Sequence, residues 1–333
     1  MPLHRLQRRE LIALLGGAAL AWPLAARAQE SVRPRRVGVL MHAAANETDA
    51  QARLAAFVGG LQAAGWEIGR DLHVNTRWSR GDAARLSADA AELIRLRPDA
   101  VVAGAGATTK ALQLASRKVP IVFAEGIDPI GGGCVDSLAR PGGNTTGFIA
   151  LDYSLAGKWL ELLKEIAPQI ARAAVLRGPG TPGIGQWAVL QATAQALGVE
   201  LKPVTLADAG EIERALAAYA RDPDCGLVVT ASAASLAHHE LIVALAAEHR
   251  LPAAYAYRSF AAAGGLISYG PEIPRLYRRA ALYVNRILRG EQPGDLPVEP
   301  PPGYELVINL RTARSLGLEV PRALLMRADE AID

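Results

Sequence analysis

The chain has 333 residues, a formal net charge of +3 and a hydrophobic fraction of 50%, which excludes a wholly disordered protein. The first 28 residues contain four arginines and one acidic residue, so the rest of the chain carries no net charge. No basic block of the kind that nucleic acid or an anionic membrane requires remains, and we expect no nucleic-acid partner. Roughly 305 further residues are too many for one ordinary core and predict two lobes.

Residues 1–28 have the pattern of a signal peptide. Arg8 and Arg9 precede a short apolar run, and a small-x-small cleavage site ends at Ala28. The alternative is an N-terminal helix of the mature fold, which would have to tolerate Pro23. The arginine pair is also typical of a twin-arginine leader. No apolar run of about 18 residues follows, so we expect a periplasmic protein that does not span the membrane after the leader is removed.

Short apolar runs then alternate with segments of helical period, the pattern of parallel sheets with helices on both faces. In the first series, strands are predicted at 37–40, 73–77, 100–103, 121–124 and 146–149, with helices at 48–64, at 82–96 and from 108. The second series has a helix at 155–166, strands at 173–176, 200–204, 226–229 and 253–255, and helices from about 186, 209 and 235. A strand at 266–268, a helix at 273–289, a proline-rich link at 293–302 and a strand at 304–309 follow.

Two similar series of this kind predict an α/β fold with two doubly wound parallel-sheet lobes. Open parallel sheets bind ligands at the carboxyl ends of their strands, so the expected site is the cleft between the lobes. Cys134 and Cys225, the two cysteines of the chain, lack the paired spacing of a zinc site. They fall in different predicted lobes, which favours two thiols over a disulfide. We expect no metal and no cofactor.

Several motifs resemble one family along the whole chain. They are the leader segments 8–17 and 22–29, Asp128-Pro129, and the segments 140–147 (RPGGNTTG), 264–270 (GGLISYG) and 305–310 (ELVINL). In their order and spacing they are similar to a bacterial group of ABC-transporter substrate-binding proteins. This resemblance implies a type I periplasmic-binding fold, whose two lobes are joined by crossing strands and close around a ligand. Characterised relatives bind aromatic or branched amino acids.

The resemblance also implies a division of the chain. The N-terminal lobe is expected to contain 34–147 and about 261–299, and the C-terminal lobe 148–260 and about 300–333. Crossings are expected near 147–151, 257–261 and 300–304. The expected partners are a small-molecule ligand and the membrane permease of an ABC transporter, and the protein is expected to be a monomer without enzymatic activity.

The resemblance places the ligand at the loops that follow the strands. The positions in the first lobe are Met41, His42, Gly104, Thr108, Thr109, Glu125 and Asp128, and those in the second are Thr230, Ser232, Tyr255, Tyr257 and Arg258. Ser232 and Ala256 stand where relatives often carry acids, and Glu125 where an apolar residue is common. Glu125 and Asp128 are therefore the expected acceptors for a ligand amino group.

Three of these positions have alternative interpretations. The turn at 104–109 links a strand to a helix, where backbone N–H groups and the helix dipole favour a ligand carboxylate, but it is also an ordinary capped turn. Arg258 would clamp a carboxylate if it faces the cleft, and otherwise forms a surface ion pair. Tyr255 and Tyr257 either stack on a ligand ring or belong to the core, and the same choice holds for Trp187 and Tyr269.

Other functions fit the sequence less well. Gly104, Gly106 and Glu125 partly mimic a dinucleotide fingerprint, but its third glycine is absent. His239 and Glu240 lack the second histidine of a zinc-protease helix, because Val243 stands in its place. A lac-repressor-type core shares the architecture, but would need a DNA-binding segment where the leader lies. A periplasmic sensor for a signalling partner remains open as an alternative.

Overall fold

Two separate sheets organise the residues that the computed structural model describes, which are 33–178, 181–206, 208–221 and 224–333. The predicted leader lies outside this part of the chain. Strands and helices alternate through both sheets, which confirms the predicted α/β class with two lobes. In the described part of the chain, no helix combines the length and the apolar content that crossing a bilayer demands.

The first sheet has five parallel strands. They are β1 (Arg35–Met41), β2 (Leu72–Trp78), β3 (Ala100–Ala103), β4 (Ile121–Ile127) and β5 (Thr145–Leu151), in the order β2-β1-β3-β4-β5. Helices α1 (Thr48–Ala63), α2 (Ala83–Arg95) and α3 (Gly106–Ala115) connect the first four of them.

The second sheet has seven strands. They are β6 (Arg172–Arg177), β7 (Glu200–Thr205), β8 (Cys225–Val229), β9 (Ala253–Tyr255), β10 (Ile267–Gly270), β11 (Glu305–Asn309) and β12 (Glu330–Ile332). Their order is β12-β11-β10-β9-β8-β6-β7, and β10 with β11 is the antiparallel pair. The remaining helices are α4 (Leu155–Ile166), α5 (Thr181–Leu197), α6 (Ala209–Tyr219), α7 (Ala233–Ala237), α8 (His239–Glu248), α9 (Arg258–Ala262), α10 (Ile273–Leu288), α11 (Leu310–Leu316) and α12 (Arg322–Leu325), with a 3-10 turn at Pro293–Asp295.

The first sheet is covered on both faces, which explains its continuous apolar runs. Val122 of β4 belongs to the same core cluster as Phe57 of α1 and Leu276 of α10. Its neighbour Phe123 belongs to the cluster on the opposite face, with Leu93 of α2. Successive side chains of a strand point to opposite faces, so a strand buried on both sides must be apolar throughout.

Three crossings join the lobes. One runs from β5 into α4, one from β10 into α10, and one from Glu299, which pairs beside β5, to β11. The crossing expected near 257–261 is replaced by the one after β10, because β9 and β10 pair within the second sheet at Tyr255 and Ser268. The sheets also divide the chain differently from the expected lobe boundaries, since β5 stays in the first sheet to Leu151 and β10 belongs to the second to Gly270.

No disulfide bond joins Cys134, which lies in the loop before β5, to Cys225, which is buried in β8. The two residues therefore belong to different lobes, as predicted. Each lobe has its own sheet, and one cluster of buried apolar residues runs through both lobes.

Candidate functional site

The loop after β4 touches the second lobe. The hydroxyl of Tyr153 donates a hydrogen bond to Asp128 Oδ2 at 2.9 Å. The ring of Tyr153 lies against α5, where a Cβ added at Gly185 would stand 2.5 Å from the ring. Asp128 follows β4 of the first lobe and Gly185 belongs to the second, so this contact spans the cleft between the lobes.

A buried ion pair lies at the carboxyl end of β4. Glu125 Oε1 accepts hydrogen bonds from Arg53 Nη1 at 3.3 Å and from the Tyr277 hydroxyl at 2.9 Å. The side chains of Arg53 and Glu125 are each 6% exposed. Arg53 comes from α1 and Tyr277 from α10, two helices so close that a Cβ added at Gly60 would lie 2.7 Å from Ala281 Cβ. Burial, and then the charge of Glu125, raises the pKa of Tyr277 well above its ordinary value, so its hydroxyl keeps the proton that it donates.

Met41, His42 and Gly104 lie beside this pair. The Tyr277 hydroxyl is 3.6 Å from Met41 Sδ. A Cβ added at Gly104 would lie 2.8 Å from the Tyr277 oxygen and 3.6 Å from His42 Nδ1, so a larger residue would displace the hydroxyl from Glu125. We call Met41, His42, Arg53, Glu125 and Tyr277 the buried polar cluster. It contains three of the predicted site residues.

His42 Nδ1 is buried and has no hydrogen-bond partner among the described residues. Burial lowers the pKa of His42 more than the opposing charge of Glu125 raises it, and Arg53 lowers it further. The ring is therefore neutral at neutral pH and offers one nitrogen to a ligand as donor or acceptor, depending on its tautomer.

The turn at 104–109 has the geometry of a capped helix start. Thr108 Oγ1 donates to Ala105 O at 2.7 Å and accepts from Ala105 N at 2.8 Å. Thr109 Oγ1 donates to the same carbonyl at 2.9 Å. Both threonines are buried, and both hydroxyl protons are used within the turn. A ligand at this turn would meet backbone N–H groups rather than the threonine side chains.

Asp128 is the second acidic residue predicted for the first lobe. Its backbone has a positive φ of 47°, an unusual conformation that an aspartate tolerates better than most residues. Asp128 Oδ1 accepts from Gly131 N at 2.8 Å, while Oδ2 holds Tyr153. Its carboxylate thus fixes its own loop and the contact between the lobes.

In the second lobe, the loop after β8 is held by local hydrogen bonds. Thr230 Oγ1 donates to Leu176 O at 3.0 Å, and Ser232 caps α7 by accepting from Ser235 N at 3.0 Å. Gln186 of α5 exchanges two hydrogen bonds with the backbone of Ala231, at 3.0 and 2.8 Å. These contacts fix the shape of the loop. They engage the side chains of Thr230 and Ser232, both predicted ligand-binding residues, in hydrogen bonds within the protein.

The two predicted tyrosines have different surroundings. Tyr255 stacks on Phe260 with ring centroids 4.8 Å apart, and a Cβ added at Gly265 would lie 2.5 Å from its ring, so it belongs to the apolar core. Tyr257 is 5% exposed, and burial followed by the charge of Glu125 raises its pKa. The charges of Glu125 and Arg53 thus act on Tyr257, whereas burial alone raises the pKa of Tyr255.

Arg258 lies outside the cluster. It binds Glu330 with two hydrogen bonds, Nε to Oε2 at 2.8 Å and Nη2 to Oε1 at 2.7 Å. Its side chain is 45% exposed. This is the surface ion pair that sequence reasoning held as the alternative to a carboxylate clamp.

Arg53, Tyr277 and Tyr153 were missed by sequence reasoning. Arg53 and Tyr277 lie on the buried faces of their helices, and nothing in the helical pattern marks them as site residues. Only the packing of α1 on α10 brings them to Glu125. Tyr153 lies directly after the crossing predicted at 147–151. Its position next to a crossing is the feature of the sequence that marks it as a candidate site residue.

Two cavities lie away from the buried polar cluster. A cavity of about 140 Å³ lies beside Cys134 and Asn144, before β5. A second of about 230 Å³ lies at the crossings, lined by Arg275 and Tyr304 among others. Neither reaches Glu125, so the chemistry of the predicted site lies with the polar cluster and not with these cavities.

Comparison with known proteins gives a family-level match. A family described as "ABC transporter substrate binding protein" matches residues 42–332. A tyrosine-binding protein of Clostridioides difficile (strain R20291) is 23% identical over 264 residues, which cover 79% of this chain and 76% of that protein.

Two solved structures have similar folds. A conserved domain protein from Vibrio cholerae is 29% identical with a TM-score of 0.83, covering 90% of this chain and 100% of that one. The ABC domain from Streptococcus pneumoniae in complex with L-Trp is 22% identical with a TM-score of 0.83 and the same coverage of both chains.

Proposed function

The chain belongs to the family of ABC transporter substrate-binding proteins, and we propose that it captures a small carboxylate-bearing solute in the periplasm and delivers it to the permease of an importer. The family consists of binding proteins and not of enzymes. Substrate-binding proteins of ABC transporters act outside the cytoplasmic membrane, which agrees with the leader predicted at residues 1–28.

The buried carboxylate of Glu125, at the carboxyl end of β4, is the main support for this function. Burying two charges costs more than a well-packed apolar pair would, so stability alone does not explain the Arg53–Glu125 pair. Both hydrogen bonds to Glu125 fall on Oε1. A carboxylate has about four lone-pair positions, and its second oxygen would accept from a ligand ammonium.

An aromatic or branched amino acid fits this arrangement best. Tyr257 is a buried aromatic residue of the second lobe, and the charge of Glu125 raises its pKa. An aromatic face and a carboxylate together suit an amino acid with a flat or bulky side chain. The tyrosine-binding protein of C. difficile and the L-Trp complex from S. pneumoniae support the same ligand class.

Closure of the lobes is the proposed mechanism of capture. The Tyr153–Asp128 hydrogen bond joins the lobes and is broken when they separate. A ligand that touches both lobes favours the closed state by its additional contacts there. Small-angle scattering with and without a saturating ligand should show a smaller radius of gyration for the complex, and superimposable profiles would exclude this mechanism.

A thermal screen tests the ligand class. L-Tryptophan, L-tyrosine, L-phenylalanine and L-leucine are compared with their deaminated acids. A true ligand at about 100 times its Kd adds roughly 2.7 kcal/mol, which raises the melting midpoint by several degrees. If no amino acid and no deaminated acid raises the midpoint, the carboxylate-binding function is wrong.

Glu125→Gln identifies the partner of the amino group. Glutamine keeps the acceptor for Tyr277 but loses the negative charge, so the response to amino acids should fall while the response to deaminated acids remains. Glu92→Gln is the matched control, because Glu92 pairs with Arg77 at 2.6 Å on the outer surface of the same lobe. Equal loss for both ligand sets would assign Glu125 a purely structural role.

A further inference from the structure

Arg177, the last residue of β6, has an incompletely satisfied guanidinium group. Its Nε is buried and lacks a hydrogen-bond partner among the described residues. Its guanidinium carbon lies 5.8 Å from the centroid of the Trp187 ring on α5. A buried N–H group that has lost water without gaining an acceptor is costly, and such groups in native proteins usually have a partner. Among the described residues this N–H group has no acceptor, and a ligand carboxylate would supply one.

The surroundings of Arg177 belong to the cleft side of the second lobe. A Cβ added at the next residue, Gly178, would lie 2.5 Å from Ser232 Cβ, so the loops after β6 and β8 touch. Helix α5, which carries Trp187, also carries Gly185, against which the Tyr153 ring packs. Since the Tyr153 hydroxyl reaches the first lobe, the start of α5 faces the cleft.

We propose that Arg177 binds the ligand carboxylate, with Trp187 holding the guanidinium in place. This inference rests on the proposed function and names the group that anchors the ligand in the second lobe. A guanidinium over an indole ring keeps its N–H groups directed outward at its edge, where a carboxylate accepts two of them.

The first lobe contributes the other end of the ligand. Its buried arginine, Arg53, is already paired with Glu125, so that charge is neutralised inside the lobe. The threonine hydroxyls of the turn at 104–109 are committed to Ala105. A ligand that bridges Glu125 and Arg177 would hold its ammonium in one lobe and its carboxylate in the other, which couples binding to closure.

Calorimetric titration of three probe sets against Arg177→Gln tests the assignment. The sets are L-tyrosine, L-tryptophan and L-leucine, their deaminated acids, and the corresponding amines without a carboxylate. The variant loses charged hydrogen bonds to the ligand, so it should bind every carboxylate on the order of 10- to 100-fold more weakly. Affinity for the amines should not change. Arg177→Lys keeps the charge without the planar fork and should lose less affinity.

Arg286→Gln is the matched control, since Arg286 also lies over an aromatic ring, 5.6 Å from the Tyr283 centroid, on the surface of α10. It should bind all probes as the wild type does. Without ligand, Arg177→Gln should melt only slightly lower than the wild type, because it loses the contact with the Trp187 ring but no hydrogen bond at Nε.

Two results would overturn the assignment while leaving the proposed function intact. One is wild-type affinity of Arg177→Gln for the carboxylates, and the other is an equal loss for the carboxylates and the amines. If the wild type binds none of the carboxylates, the proposed ligand class fails first and the role of Arg177 fails with it.

Discussion

The hydroxyl of Tyr153 and the carboxylate of Asp128, 2.9 Å apart, join the two lobes. Tyr153 lies between β5 and α4, on one of the three crossings, and its ring packs against the second lobe at Gly185. A residue of a crossing therefore links the two sides of the cleft. The strength of its hydrogen bond contributes to the equilibrium between the open and closed states.

Tyr153→Phe should shift that balance toward the open state. The change removes one hydrogen bond to a carboxylate, worth about 1 kcal/mol here because both groups are partly exposed, which corresponds to about fivefold weaker ligand binding. Calorimetry with the ligand found in the thermal screen measures the affinity. Small-angle scattering of the ligand-free variant should give a larger radius of gyration.

Tyr255→Phe is the control for this change, because it removes a hydroxyl from the apolar core and not from the cleft. It should bind ligand as the wild type does. If Tyr153→Phe and Tyr255→Phe have the same affinity, the Tyr153 hydroxyl has no part in closure.

His42 predicts a decline in stability at mildly acidic pH. Burial, opposed by Glu125 and Glu47 and assisted by Arg53, lowers the pKa of His42 below its ordinary value of 6.5. Below pH 6.5 the unfolded chain binds a proton that the folded chain does not, so the free energy of unfolding falls as the pH decreases. Above that value the contribution is constant. Urea titrations between about pH 7.5 and about pH 5.5 measure the slope.

His42→Gln should flatten this pH dependence, because the variant has no proton to bind at that position. His73→Gln, at an exposed position of β2, should leave the slope unchanged. A slope that is equal in the wild type and in His42→Gln would mean that other groups cause the decline.

Much of the fold follows from the sequence because the central strands of both sheets are buried on their two faces. Runs such as 100–103 are apolar at every position, which limits them to the interior of a covered sheet. The sequence does not say which sheet a strand joins, since both lobes repeat the same alternation of strand and helix. The family resemblance predicts that the segment 267–270 belongs to the first lobe, whereas its hydrogen bonds place it in the second.

The site was harder to predict because its partners are distant in sequence. Glu125 was singled out as an unusual acid, but Arg53, which neutralises it, lies 72 residues earlier on a helix. Tyr255 and Tyr257 are two residues apart, yet Tyr255 packs on Phe260 in the core, whereas the pKa of Tyr257 responds to the charge of Glu125. Tertiary packing, which local patterns do not encode, decides both outcomes.

Tyr255→Phe should make the protein more stable. The Tyr255 hydroxyl is buried without a hydrogen-bond partner among the described residues, and burial raises its pKa. Removing an unsatisfied polar group should raise the free energy of unfolding by about 1 kcal/mol. Tyr277→Phe loses the bond to Glu125 and should lower it by about 1.5 to 3 kcal/mol. Urea denaturation compares the two, and a loss of stability in both variants would contradict the assignment of Tyr255.

Arg53→Met should be strongly destabilising, because it leaves the buried Glu125 charge without its partner. Breaking a buried pair from one side costs about 3 to 5 kcal/mol, whereas removing both charges is often close to neutral. The double variant Arg53→Met/Glu125→Gln should therefore be more stable than Arg53→Met alone, as measured by urea denaturation.

If Glu125 also binds a ligand ammonium, an amino acid should stabilise Arg53→Met more than the wild type, since its charge replaces that of the guanidinium. Deaminated acids should give no such difference. Simple additivity of the two substitutions would show that Arg53 and Glu125 are not energetically coupled.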